Sequence, residues 1–331
     1  MSDVAARAGV SHQTVSRVLN AHPSVREETR QVVLEAIEEL GYRRNAAARA
    51  LVTRRTATIG VVTSGSALFG PTSTLIAVEN AARDAGYFVS VATTARWDTT
   101  TFTEALEHFM AQSVDGVVVL AANDDAVQAV RDFPSPVPVV MVGPKEPPGS
   151  RLHAVTFDQY GGARLATRHL VELGHRDVVH VSGPLDWLDA RERALGWRHE
   201  LRAAGLPAPT TVAADSWSAD RGYEVGRELV RQGLPSSVFT SNDQLALGLL
   251  RAFAEAGVRV PADVSVVGFD DVDGSAHFYP PLTTVRQEFG ELGRRCLSML
   301  LDLLAGRTVE PGVVEARLVV RASTAPPRRA G

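Results

Sequence analysis

Two groups of residues in this chain have types and spacing that could do chemistry. The first lies in SDVAARAGVSHQTVSRVLN, residues 2–20, where His12, Gln13, Ser16 and Arg17 fall on the outward side of a short predicted helix. Gln and Arg carry the planar forks that match the major-groove edges of adenine and guanine. The second group falls where predicted strands end. Ser64 follows TIGVVT, Asn242 and Asp243 follow SVFTS, and Asp270 and Asp271 follow SVVGF. Arg191 and Arg193 lie near the start of the helix after DVVHVSGP, Trp217 lies in DSWSADRG, and Gln287 and Phe289 follow PPLTTVR. In open α/β sheets, ligands sit outside the carboxyl ends of the strands. Carboxylate, amide and guanidinium groups beside an aromatic wall suit a polyhydroxylated molecule. The same residues have plainer uses: Asp and Asn at strand ends cap turns, and Arg191 and Arg193 have Asp186 and Asp189 within reach as surface partners.

Catalytic readings fail on geometry. Asp270 and Asp271 are adjacent in sequence, so on an extended segment they diverge and cannot flank one bond. SGSALFG lacks the lysine of a phosphate-cradling loop. No Ser-His-Asp or Cys-His arrangement is legible, and His108, His153, His169, His175 and His199 lack metal-ligand spacing and read as surface or helix-end residues. The expectation is a binding protein with no enzyme activity, no cofactor and no metal.

The elements that must position these residues can be drawn from the pattern. Ser2, or Asp3 beside it, caps a first helix packed through Val4, Ala5 and Ala8, and Gly9 ends it. Ser11 caps a second helix whose Val15, Val18 and Leu19 face inward. Two helices joined this way make a helix-turn-helix, although helical bundles use the same pattern and spacing alone does not choose between them. Thr29 to Leu40 reads as a third helix with Val32, Val33, Leu34, Ile37 and Leu40 on its apolar face, ended by Gly41. Asn45 then caps a run of alanines to Leu51, a helix too short and too poor in apolar residues to stand without a docking partner, or else a linker. From Thr58 onward strands and helices alternate: TIGVVTS, LIAVENAARDAGY, FVSVATT, FTEALEHFMAQSV, DGVVVLA, PVPVVMVG, and onward to DVSVVGFDD. This implies parallel sheets with right-handed crossovers, in more units than one sheet accommodates.

Composition agrees. At 331 residues and 45% hydrophobic, the chain can build two or three cores. The first 55 residues hold nine arginines against six acids, a charge of +3, which leaves −7 for the rest of a chain with net charge −4. A basic head on an acidic body suits a head that touches phosphates and a body that does not. Cys296, the one cysteine, reads as a small buried helix residue, which suits a reducing compartment. The chain opens without a charged-then-apolar signal and has no run of about 18 apolar residues, so the expected location is the cytoplasm, with no membrane partner.

AGVSHQTVSRVLN, followed by NAHPSVREETRQVVLEAIEELGYRRNAAARALVTRRTATIGVV, resembles the recognition segment, third helix, hinge and first core strand of the lac repressor (LacI/GalR) family. SGSALFGP, ALGW, SNDQLALG, SVVGFDD and PPLTTVRQ extend the likeness over nearly the whole chain. The resemblance implies an all-α helix-turn-helix headpiece (1–44) plus a hinge helix and linker (45–57). A two-lobed α/β periplasmic-binding-protein-like core with parallel sheets follows (58–331). Its N-lobe would span about 58–157 and 287–316, and its C-lobe about 158–286 and 317–331. By the same resemblance His12, Gln13 and Arg17 read bases, while Ser11, Thr14, Ser16, Asn20 and Thr29 fix register on phosphates. Asn45 and Ala48 belong to the hinge helix, and Leu51 is the leucine wedged into the minor groove. Ser64, Arg193, Trp217, Asn242, Asp270 and Gln287 match effector contacts, and Leu68, Pro71, Phe157, Trp217 and Phe289 the apolar side of a glycoside pocket. Two positions depart, with Leu120 where the pattern has an Asn and Gly143 where it has an Asp. The implied function is a homodimeric repressor that binds a palindromic operator and is released by a small sugar, a galactoside or another glycoside. The alternative is a transport-type sugar-binding protein. The Pro-rich ending ASTAPPRRAG lacks heptads, so a dimer rather than a tetramer is expected, and the short start before Ser2 suggests a truncated or internal start.

Overall fold

Ser11 decides where the second helix begins. Its Oγ accepts from the Thr14 N–H at 3.1 Å and so satisfies one of the free donors of the first turn. The computed structural model describes residues 1–19, 22–42, 55–65, 67–94, 96, 98–145, 150 and 152–328. Asn20, Asn45, Ala48 and Leu51 lie outside the described residues. The chain divides into two units, Met1–Thr56 and Ala57–Gly331.

The first unit contains α1 (Ser2–Ala8), α2 (His12–Leu19) and α3 (Glu27–Glu39). Its core is Val4, Ala5, Ala8, Val15, Val18, Val33 and Ala36, with Leu19 and Ile37 against it. Gly9 takes φ +62° and ends α1, as the sequence suggests. The cap assigned to Ser2 or Asp3 is not made: Met1 is the N-cap, and no side chain caps α1. The Ser2 hydroxyl instead lies 3.1 Å from Nε2 of His12. The apolar face drawn for α3 also needs correction. Val33, Ala36 and Ile37 pack inward, but Val32, Leu34 and Leu40 are nearly half exposed. Positions 32 and 34 sit about 100° to either side of 33 on a helix, so all three cannot face one small core.

The second unit has two six-stranded sheets. The first contains β1 (Thr58–Ser64), β2 (Phe88–Thr94), β3 (Gly116–Leu120), β4 (Val139–Val142), β5 (His153–Phe157) and β11 (Gly312–Val314), in the order β11-β5-β4-β3-β1-β2. All its pairings are parallel. The second contains β6 (Val178–Ser182), β7 (Val212–Ala213), β8 (Ser237–Thr240), β9 (Ser265–Asp270), β10 (Thr283–Arg286) and β12 (Arg317–Val319), in the order β12-β10-β9-β8-β6-β7. β12 is antiparallel to β10, a departure from the purely parallel expectation. Helices cover the sheets: α4 (Phe69–Asp84), α5 (Thr99–Ala111) and α6 (Asp124–Asp132) in the first lobe, then α7 (Gln159–Glu172), α8 (Leu188–Ala203), α9 (Ala219–Gln232) and α10 (Asp243–Glu255) in the second. After β10 the chain crosses back, and α11 (Phe289–Leu304) and β11 complete the first lobe. It then returns to add β12 to the second sheet. α6, β5 and β7 are elements that the sequence pattern does not separate. Asn123 starts α6 by accepting from the Ala126 N–H at 2.9 Å.

The helix pair α9–α10 depends on glycine. A Cβ on Gly248 would lie 1.8 Å from the Ala219 carbonyl oxygen and 2.5 Å from the Tyr223 nitrogen. Both obstacles are backbone, so relief requires the helices to separate. Gly248→Ala is expected to cost about 3 kcal/mol, the upper end for overpacking, read as a lower urea midpoint for the second unit. An unchanged midpoint would show that the two helices part freely.

Candidate functional site

The parallel strands of both sheets point their carboxyl ends at one cleft, which holds a cavity of about 700 Å³. The first lobe gives it a mainly apolar wall, Leu68, Phe69, Pro71, Leu120, Val142, Phe157 and Phe289, with Thr72, Ser73, Thr74 and Thr156 as its hydroxyl-bearing members. Phe289 is the corner of that wall, with its ring centroid 5.6 Å from Phe69 and 5.1 Å from Phe157, edge to face in both pairs. Leu68 reaches across and packs against the second lobe's core cluster, which holds Trp217. The second lobe gives the polar wall. Arg193, Asp189, Asp270, Asp273, Asn242, Gln244 and Gln159 line it together with Trp187 and Trp217.

Arg193 organises the polar wall. It projects from α8 and is only 4% exposed. Its Nε donates to Gln159 Oε1 at 2.8 Å, and its Nη1 donates to the Ser241 carbonyl. Gln159 Nε2 then donates to Gln287 Oε1 at 3.0 Å, and Gln287 Nε2 to Asp270 Oδ1 at 2.8 Å. The guanidinium carbon lies 3.9 Å from the centroid of Phe269 and 5.7 Å from that of Trp217. Trp217 meets Trp187 edge to face at 5.7 Å, and its indole N–H is buried without a hydrogen-bond partner. Asn242 does double work: Oδ1 caps α10 by accepting from Leu245 N at 2.8 Å, and Nδ2 donates to the Trp217 carbonyl at 3.1 Å.

Asp270 and Asp271 diverge, as adjacent residues should. Both have positive φ, +112° and +54°, a costly conformation for residues with a Cβ. Asp271 turns away to pair with Arg286 and Arg321, while Asp270 faces the cavity. Burial pushes the Asp270 carboxyl up to about 7, against the pull of Arg193 and with a further push from Asp243. Asp189 is raised as well, by desolvation at the cavity wall and against the pull of Arg193, although its side chain is about half exposed.

Most sequence-named effector residues meet here. Leu68, Pro71, Phe157, Arg193, Trp217, Asn242, Asp270, Gln287 and Phe289 all line the cavity. Ser64 closes β1, and its side chain is outside the described atoms. Asp243 does not join the cavity lining. It is buried and accepts from Ser275 Oγ, Thr284 Oγ1 and Val272 N. Arg191 pairs with Asp124 of α6 at 2.8 Å rather than with a neighbour in sequence, while Arg193 keeps Asp189 at 3.9 Å as a loose ion pair. His175 is not a surface residue either: it is buried, and its ring contacts Ser236, Ser265 and the Ala325 carbonyl. Gln159, Trp187, Asp189, Gln244 and Asp273 were missed as lining residues. Asp189 carried a signal, one helical turn before Arg193. Cys296 is buried on α11, and burial pushes its thiol up to about 12.

In the first unit, Ser11, His12, Gln13 and Arg17 are exposed along α2, while Thr14, Ser16 and Thr29 are half-buried. Residues 1–45 match the model for "Bacterial regulatory proteins, lacI family", and residues 167–324 match a periplasmic binding protein-like domain. The lactose operon repressor of Escherichia coli (strain K12) is 35% identical over 98% of this chain and 90% of its own. The chain belongs to the lacI family of bacterial regulatory proteins. A second relative, the HTH-type transcriptional regulator CelR of Thermobifida fusca, is 39% identical over 97% of this chain and 96% of its own. Among solved structures, a lac repressor dimer bound to operator and the anti-inducer ONPF covers 98% of both chains at 35% identity, with TM-score 0.86. A CelR–cellobiose complex covers 97% of this chain and 98% of its own at 35% identity, with TM-score 0.72. These lacI-family relatives are transcriptional regulators, not enzymes. Among the described residues no helix is long and apolar enough to cross a membrane.

The raised Asp270 carboxyl makes a pH prediction. Its folded value, about 7, lies above the unfolded value of about 3.9. Its stability contribution is therefore present in full below about pH 4 and is lost as pH rises through 7. Asp270→Asn removes that loss, so the variant should gain urea resistance over the wild type between pH 5 and pH 8. A difference between the two that stays flat across that range contradicts the raised value.

Proposed function

We propose that this lacI-family member is a dimeric, operator-binding repressor whose hold on DNA is relieved by a small glycoside in the interlobe cavity. The observation that carries this reading is the cavity itself. Its hydrogen-bonding wall comes from the second lobe and its aromatic and aliphatic wall from the first, in a chain that also carries a capped recognition helix with Gln13 and Arg17 exposed. One wall can pair with hydroxyls and the other can cover an apolar face or aglycone. The relatives support it, since lac repressor structures contain operator, ONPF or ONPG, and a CelR structure contains cellobiose. A galactoside leads, with other glycosides next. Leu120 and Gly143 add no polar side chain to the first-lobe wall, which favours an effector with an apolar aglycone.

In this reading His12, Gln13 and Arg17 contact base edges, and Ser11, Thr14, Ser16, Asn20 and Thr29 hold phosphates. Asn45, Ala48 and Leu51 form the hinge, with Leu51 as the minor-groove wedge. Helix surfaces such as residues 72–85 would pair the two copies, so that a palindrome meets a two-fold axis. Sugar must then bind the released state better than the operator-bound state. A hundredfold preference is worth about 2.7 kcal/mol per site.

Selection from a palindromic DNA library at fixed salt, with and without galactosides and glucosides, tests this directly. Arg17→Ala should cost about 1–3 kcal/mol of operator affinity and relax sequence preference at one position, with sugar affinity unchanged. A selected palindrome that no sugar in the panel releases, although a sugar binds, would refute sugar-relieved repression.

A further inference from the structure

One open contact in the cavity has no role in the account so far. Arg193 Nη2 donates no hydrogen bond among the described residues. It lies 3.6 Å from Asp270 Oδ1 and 3.9 Å from Asp189 Oδ2, beyond hydrogen-bond reach of either. Asp189, in the first turn of α8, accepts no hydrogen bond among the described residues, although it is only half exposed and lines the cavity. Two carboxylates therefore flank one guanidinium nitrogen with gaps that neither closes. A hydroxyl oxygen placed there accepts from Nη2 and donates to a carboxylate. A second, adjacent hydroxyl reaches the other carboxylate.

The first lobe offers no charged rival: the polar side chains it brings to the cavity are the hydroxyls of Thr72, Ser73, Thr74 and Thr156. Its wall contributes no charged side chain to the cavity among the described residues, and Leu120 and Gly143 bring no polar side chain to it. Charged groups come from the opposite wall, where Asp189 supplies a carboxylate. We propose that Asp189 is a specificity-determining residue of the effector site, which with Arg193 and Asp270 reads a pair of adjacent hydroxyls on the sugar ring. The inference rests on the cavity being the sugar site. The ring then lies against the second lobe, and its selectivity is set by a residue one helical turn from Arg193. A ring that covers the Asp189 carboxylate without giving it a hydroxyl takes water away and returns no partner, so a ligand that lacks the read hydroxyl binds more weakly.

The test is a cycle between protein and ligand. The full chain and its Asp189→Ser variant are titrated by calorimetry with methyl β-galactoside, methyl β-glucoside and their monodeoxy analogues. In the wild type, the deoxy analogue missing the read hydroxyl should bind about tenfold or more weaker than its parent. In Asp189→Ser the parent should weaken by a similar factor, and the penalty for that one deoxy position should collapse to within about twofold. Asp189→Asn, which keeps the shape and one acceptor, should fall between. Equal weakening for every analogue, or no weakening, overturns the role of Asp189 while leaving the sugar site intact. If the wild type binds no sugar in the panel, the glycoside reading of the cavity falls together with this one. Should Asp189→Ser not fold, the cycle with Asp189→Asn decides between the same outcomes.

Discussion

The core depends on one buried guanidinium. A charge at the depth of Arg193 is tolerated only when its donors and its charge are answered nearby. The answers come from elements far apart in sequence: Gln159 where the chain first enters the second lobe, the Ser241 carbonyl after β8, Asp270 at the end of β9, and Gln287 where the chain leaves again. Satisfying one residue thus fixes two strand ends and two of the interlobe crossings. The same arrangement leaves one guanidinium nitrogen and parts of two carboxylates facing the cavity, so the groups that hold the lobe together also line it.

The two walls of the cavity have different physics, and this suits a sensor. Hydrogen-bonding groups on the second lobe are fixed by their own network before any ligand arrives, which lowers the ordering cost of binding. The first lobe answers with shape, through Phe289, Phe157, Phe69 and Leu68. Contacts of that kind carry no charge to strand, so separating the two walls would cost only apolar contact. The headpiece rests on a thinner core of valines and alanines.

The sequence made visible what repeats locally and hid what depends on depth. TIGVVTS and FVSVATT emerge as β1 and β2 with their full extents because β-branched runs are bounded by breakers. α6 was not separated because Ala126, Val127, Ala129 and Val130 are its only buried positions and the helix is short. His175 was misplaced because the groups that bury it, Ser236, Ser265 and the Ala325 carbonyl, are at least sixty positions away. The cap drawn at Ser2 or Asp3 failed because α1 starts at Ser2 itself. Nine of the ten effector candidates line the cavity, because polar residues at parallel strand ends have one common place to go. Asp189 escaped because its sequence shows an ordinary i,i+4 pair with Arg193; only the burial of Arg193 turns that pair into an open contact.

The return of the chain after β10 has a consequence for biosynthesis. The first lobe's core needs Leu292, Cys296, Leu297 and Leu300 of α11, while the second lobe gains from the last stretch of chain the short edge strand β12 and the segment after it, where Arg321, Ser323 and Ala325 bond to Asp271, Val266 and His175. On a ribosome, β1 to β5 emerge early but lack the helix that seals one face of their sheet. The second lobe, made later, receives almost all of its parts first. The order of synthesis and the order of completion are therefore reversed, and the half-built first lobe must wait with apolar surface uncovered while the rest is translated.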